Sequence, residues 1–292
     1  MGVDFLEVVE VLVEVVQAVV GRILIFLWVL FVFLSCDRRK TIEDYLPNLL
    51  ECYVFGTCST GSRYGMIGDS WTDAFLGIEV EQDLFDQLTK RYRYKIVASN
   101  VGGLSLKEEL EWRRGFISVI KNAGPELEYM LLSIGGNDII FPISEFQTHG
   151  VENTIKKRLD QFEEDLKTLM VLGNQLKFTL YQGKPLKWII HGYDFPNPEI
   201  EESCILNAVE KGMPKEEAIN LISRILNEFN QRLEVLSKTT LNLYYIDLRG
   251  TLGGPPISKK EFMLDCLHPN TLGFQLLTDR YVQQLQFIEK NL

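Results

Sequence analysis

The feature that most restricts this chain is an alternation. Five short apolar runs, at residues 64–68, 94–98, 128–134, 186–191 and 241–246, are each followed by polar turn residues and a longer segment of helical period. In residues 154–172 the apolar positions Ile155, Leu159, Phe162, Leu166 and Leu169 recur at three and four, the spacing of one helix face. Similar stripes predict helices over 79–90, 106–121, 214–237 and 271–285, and Ser105 with Glu108 forms a capping box at the second. Strands alternating with helices pack as a parallel sheet covered on both faces. The run at 128–134 is nearly all apolar, as a central strand buried on both sides must be. The expected fold is therefore α/β, with five mainly parallel strands. Two prolines, Pro196 and Pro198, keep the start of 192–213 irregular, and that segment is the expected excursion over the sheet's rim.

Hydrophobic residues make up 46% of the 292, enough for a sizeable core, and the net charge of −10 disfavours a nucleic-acid partner. With five cysteines, three histidines and no Cys-x-x-Cys pair, a zinc site is not expected, and no cofactor is implied.

The first 36 residues read as a signal or anchor, residues 37–61 as a tether and 62–292 as the folded domain. Residues 23–34 are an unbroken apolar run of twelve, shorter than the roughly twenty residues of a membrane span. Arg22 precedes the run and Asp37-Arg38-Arg39-Lys40 closes it, as around the apolar core of a secretory signal. Leu34-Ser35-Cys36 resembles a bacterial lipoprotein signal, which would lipidate Cys36. A simple anchor and an interfacial or buried helix are the alternatives. Asp4, Glu7, Glu10 and Glu14 form an acidic stripe upstream, where a signal carries a basic start. Either translation begins near Val19 or Val20, or an amphipathic helix leads into an anchor. The expected location is the bacterial cell envelope, exported and membrane-tethered. There Cys52 and Cys58 would bridge; elsewhere they are two buried thiols.

The polar turns carry the chemistry. Gly68-Asp69-Ser70 follows the first strand, Gly102-Gly103 the second and Gly135-Gly136-Asn137-Asp138 the third; Asp265 and His268 precede the last helix. In a parallel sheet the strands' carboxyl ends share one edge, where ligands gather. Acyl transfer needs a nucleophile, a base, an acid that orients the base, and donors for an oxyanion. A Gly-Asp-Ser tripeptide alone occurs in about one chain in ten of this length, and its residues are ordinary turn formers.

Taken together, the four blocks, in order, resemble those of the SGNH/GDSL hydrolases over about residues 62–290. The resemblance implies a flavodoxin-like three-layer α/β/α fold and ester hydrolysis through an acyl-serine without a metal. Carried over by position, Ser70 is the nucleophile, His268 the base and Asp265 its orienting acid. Ser70, Gly102 and Asn137 supply the oxyanion hole. Trp71 stands where many members have Leu, and Gly103 is a rival to Gly102 as donor. The Gly-x-Ser-x-Gly elbow of α/β-hydrolases is absent.

Other residues keep two readings. His191 ends a strand and is either structural or part of a pocket wall; neither it nor His149 has an acid at the spacing of Asp265 from His268. Asp69 and Asp138 are read as bonding turn backbones, and Asp194 lacks the fixed spacing of a triad acid. Trp71, Tyr193 and Phe195 either line the substrate pocket or pack the loops. Cys266 sits between the acid and the base, and in an oxidising compartment it would pair with Cys204. The expected activity is that of an esterase or lipase on a small-molecule or glycan ester. Removal of carbohydrate O-acetyl groups is the alternative, and a non-catalytic flavodoxin-like binder is the third reading.

Overall fold

All five apolar runs form strands: β1 (Tyr64–Gly68), β2 (Ile96–Asn100), β3 (Tyr129–Ser133), β4 (Lys187–His191) and β5 (Leu243–Ile246). They make one sheet in the order β2-β1-β3-β4-β5, with every pairing parallel. This is the flavodoxin-like order, whose switch point lies between β1 and β3. The computed structural model describes residues 61–73, 82–140, 143 and 145–292. The N-terminal expectations, including Cys36 and the Cys52–Cys58 pair, lie outside the described residues.

Helices flank the sheet. On the first crossover lies α1 (Leu84–Asp86), which continues as a wide turn over Gln87–Arg91. The second holds α2 (Leu106–Glu108) and α3 (Gly115–Ala123). After β3 come two short helices, α4 (Gly136–Ile140) and α5 (Glu145–His149), then the long α6 (Val151–Tyr181). The chain continues with α7 (Ser203–Glu210), α8 (Lys215–Thr239) and α9 (Thr271–Lys290). Alternate residues of β1 point to opposite layers: a Cβ at Gly65 would lie 2.5 Å from Val119 on α3, whereas the Tyr64 hydroxyl reaches Glu289 on α9. Contacts join α3 to α6 and α6 to α8, and separately α9 to α1. The result is three layers, with Met66, Ile67, Met130, Leu131, Leu132, Ile189 and Ile190 fully buried between them.

Four expectations are corrected. The second strand runs on to Asn100, because Ser99 and Asn100 stay paired with Ile67 and Gly68. The helix expected over 106–121 is broken. Its middle widens at Glu109–Arg113, Arg114 adopts a left-handed φ of 50°, and α3 restarts at Gly115. Close packing on β2 enforces the break: a Cβ at Gly115 would lie 2.3 Å from Ser99 Oγ, and Glu109 turns inward to accept the Phe116 N–H at 2.7 Å. The helix expected to end at 172 continues to Tyr181: Gly173 lies within it, packed so closely on Trp188 that a Cβ would come 2.7 Å from the ring, and Gly183 and Pro185 follow its end. The 192–213 excursion is not all loop, because α7 forms beyond its prolines.

The register has one consequence for the site. Gly68 pairs with Asn100 on one side and with Ser133 on the other. The turns after β2, β1 and β3 therefore leave the sheet at one level, side by side.

Candidate active site

The turn after β1 is a tight elbow. The Asp69 carbonyl accepts the N–H groups of Thr72 and Asp73 at 3.0 Å each, and the Asp69 N–H donates to the Ser133 carbonyl at 2.8 Å. Gly68 is required here, since a Cβ would lie 1.8 Å from Thr72 Oγ1. The Asp69 side chain points inward, not to solvent. It accepts the Trp71 N–H at 3.1 Å and the hydroxyl of buried Tyr193. Burial raises its pKa to about 6, against the opposing pull of those two bonds.

Ser70 projects from this elbow toward the loop before α9. His268 Nε2 lies 2.8 Å from Ser70 Oγ. On the other side of the ring, Nδ1 lies 2.8 Å from Asp265 Oδ2 and 3.0 Å from Oδ1. The carboxylate is itself fixed, because Oδ1 accepts the backbone N–H groups of Leu267 and His268 at 2.8 and 2.7 Å. Burial pushes the Asp265 carboxyl up, but the imidazole and these N–H groups more than offset it and hold the pKa below the ordinary value. Asp265 therefore stays ionised, so Nδ1 carries the hydrogen and Nε2 is left as the acceptor for the Ser70 hydroxyl.

The expected oxyanion donors are met in unequal states. The Ser70 N–H has no acceptor among the described residues. Asn137 Nδ2 donates to the Leu104 carbonyl at 3.1 Å, which fixes the amide's orientation and leaves its second hydrogen for the cleft. The Gly102 N–H, by contrast, donates to Asp73 Oδ2 at 3.2 Å. Gly102, expected as an oxyanion donor, thus has its N–H engaged by an acid four residues past Asp69. Gly103, with φ of 78°, also lines the cleft. The acid at the end of Gly-Asp-Ser-Trp-Thr-Asp was visible in the sequence, but its partner was not.

These groups open into a cavity of about 300 Å³. Its walls include Trp71, Ile140, Tyr193, Pro196, Leu226 and Leu267. Phe195 does not line it and is buried. Asp138 bonds a backbone, accepting the Leu106 and Lys107 N–H groups at 2.9 and 3.3 Å; burial lifts its pKa to about 7 against these bonds. Asp194 likewise takes three N–H groups, from Phe195, Gly250 and Leu252. Neither acid reaches His268 by a hydrogen bond. His191 is fully buried, stacked on Trp71, with Nδ1 donating to the Gly192 carbonyl at 2.8 Å. Burial drives its pKa down to about 4, so it is neutral and structural. His149 sits on the exposed helix α5. Among the described residues no group of three His, Cys, Asp or Glu side chains is placed to hold a metal ion. Cys204 on α7 is joined to Cys266 by a disulfide, with Cα atoms 5.9 Å apart.

Known proteins share this architecture. The lipase Lip_vut3 from a goat rumen metagenome superposes with a TM-score of 0.54 at 14% identity, over 76% of this chain and 96% of its own. A Streptococcus pneumonia protein provisionally assigned as a platelet activating factor gives 0.53 at 16% identity, over 89% of this chain and 98% of its own. A provisionally assigned acylhydrolase from Bacteroides fragilis NCTC 9343 gives 0.50 at 13% identity, over 82% and 95%. At these identities the likeness is one of fold. No curated protein matches the chain at a significant level. The sequence profile of the GDSL-like lipase/acylhydrolase family matches residues 66–276, which span the elbow, both glycine-rich turns and the Asp265–His268 loop. The chain is a member of the GDSL-like lipase/acylhydrolase family.

Proposed function

We propose that the protein is a serine ester hydrolase that works through an acyl-enzyme on Ser70. The observation that carries this reading is the continuous chain from Ser70 Oγ through the His268 ring to Asp265, with both links at 2.8 Å. Ser70 Oγ attacks the ester carbonyl as His268 Nε2 takes its proton, and Asp265 stabilises the imidazolium that results. The Ser70 N–H and the spare Asn137 hydrogen face the oxyanion, with Gly102 as a third donor once Asp73 releases it. His268 then protonates the leaving alcohol, and the same base activates the water that frees Ser70.

The mixed walls of the cavity suit a small or medium acyl group. Hydrolysis of lipid-like or small-molecule esters is the primary reading and carbohydrate O-deacetylation its alternative. The protein acts outside the cytoplasm, tethered through the apolar run at 23–34. Support comes from the sequence pattern ending at Cys36 and from the Cys204–Cys266 disulfide, a bond that persists in oxidising compartments. A fluorophosphonate probe with peptide mapping tests the central claim. Labelling at Ser70, abolished in Ser70→Ala, is expected; an unlabelled wild-type protein counts against the hydrolase and favours a binding role. A panel of p-nitrophenyl esters and O-acetylated sugars then separates the two substrate classes.

A further inference from the structure

The phenol of Tyr193 is spent inside the protein and not on the cleft. Its hydroxyl donates to Asp69 Oδ2, and its ring packs directly on Gly136, where a Cβ would lie 3.2 Å from Tyr193 Cζ. Asp69 precedes the nucleophile and Gly136 precedes Asn137. One side chain, arriving from the segment after β4, thus ties the elbow of β1 to the donor turn of β3. The ring cannot drift. It meets Trp71 edge-on at 4.9 Å, lies near-parallel to Phe229 at 6.1 Å, and Asn230 Nδ2 donates to the Tyr193 carbonyl at 3.0 Å. Both members of the pair are buried, Tyr193 at 5% and Asp69 at 1% exposure. A buried acid without this donor would lose a charge-assisted bond that the interior cannot replace.

We infer that Tyr193 is a positioning residue: through Asp69 and Gly136 it holds the Ser70 hydroxyl and the Asn137 amide at one fixed separation, so that nucleophile and oxyanion donor act on the same carbonyl. The inference rests on the hydrolase reading above. A wall residue alone would act on substrate binding. A positioning residue acts on the chemical step, since an oxyanion donor stabilises the transition state more than the bound ester. The titratable groups facing Asp69 are Tyr193, His268 and Asp138. Ionised Asp69 accepts both the Trp71 N–H and the phenol. Protonation weakens both interactions. Removing the phenol makes that protonation easier, so the acid limb of activity moves to higher pH.

The test compares wild type with Tyr193→Phe, using p-nitrophenyl acetate from about pH 5 to 9 and the rate of fluorophosphonate labelling. Tyr193→Phe is expected to hold KM within about twofold, to lower kcat about tenfold at about pH 8, and to lower it several-fold more at about pH 6. The labelling rate falls in parallel. An unchanged kcat and acid limb overturns the inference, as does a raised KM with kcat intact. Should Tyr193→Phe fail to fold, 3-fluorotyrosine placed at position 193 replaces it. Its more acidic phenol is a stronger donor, so the acid limb moves to lower pH; a limb that stays put overturns the inference. A wild-type protein that takes no label at Ser70 overturns the hydrolase reading and this one with it. A labelled wild type with an unaffected Tyr193 variant overturns only the role of Tyr193.

Discussion

His268 Nε2 stands 2.8 Å from Ser70 Oγ across 198 residues of sequence. The pair is assembled from opposite ends of the domain, the elbow after β1 and the loop before α9. Its chemistry depends on Asp265, which holds the other face of the ring. Ser70→Ala and His268→Ala are each expected to lower kcat by about 10⁴-fold or more while the thermal midpoint stays near that of wild type. Asp265→Asn keeps the shape but offers an amide N–H donor to Nδ1, which favours the wrong imidazole tautomer, and is expected to cost about 10²- to 10⁴-fold. Steady-state kinetics on a p-nitrophenyl ester with parallel melting curves check both. Near-normal turnover in either alanine variant would remove the proposed mechanism.

Asn137 gives one amide hydrogen to Leu104 and keeps the other for the cleft. Asn137→Ala is expected to lower kcat by about 10²- to 10³-fold with little change in KM, the signature of a donor used in the transition state. Asn137→Asp, which replaces donors by acceptors, is expected to be worse than alanine. If KM rises and kcat is untouched, Asn137 binds substrate and does not stabilise an oxyanion.

The Cys204–Cys266 bond closes a segment of 62 residues and pins the residue between Asp265 and Leu267 to α7. Loop-closure entropy for a segment of that length is worth about 4 kcal/mol. Cys204→Ser, or a dithiol reductant, is expected to lower the melting temperature by about 10 °C or more, and to lower kcat because the His268 loop loses its brace. Differential scanning fluorimetry and esterase assays with and without reductant measure the two effects. A melting temperature indifferent to reductant would show that the bond does not brace the fold.

Several carboxyls carry pKa values raised by burial, among them Asp69 at about 6, Asp194 at about 6 and Asp138 at about 7. The ordinary value of these aspartates is 3.8, so between about pH 4 and 7 the folded protein binds more protons than the unfolded chain, and stability falls as pH rises through that window. Asp265, Asp247 and Glu128 are shifted the other way; their contribution is present above the unfolded values and is lost as acid protonates them. The melting temperature is therefore expected to peak near about pH 5 and to decline toward pH 8. Asp138→Asn, which cannot ionise, should flatten the decline. Melting curves across that range decide it, and a stability that climbs steadily to pH 8 would contradict the burial argument.

Much of the architecture could be read from the chain. Unbroken apolar runs such as Met130–Leu132 are stable only as strands buried on both faces, and the long spacers between runs need helical crossovers. Together these dictate a parallel sheet, whose carboxyl ends gather Ser70, Gly102, Asn137 and His268 on one edge. The motif order then assigned each residue an expected part in acyl transfer. Local pattern could not foresee the break at Arg114, because it is imposed by the contact of Gly115 with Ser99 on another element. Nor could it show that Asp73 takes the Gly102 N–H, or that Tyr193 spends its hydroxyl on Asp69. Sequence periodicity records which face of an element is apolar. The partner of a buried polar atom depends on distances between segments tens or hundreds of residues apart, and only the packed tertiary structure fixes those.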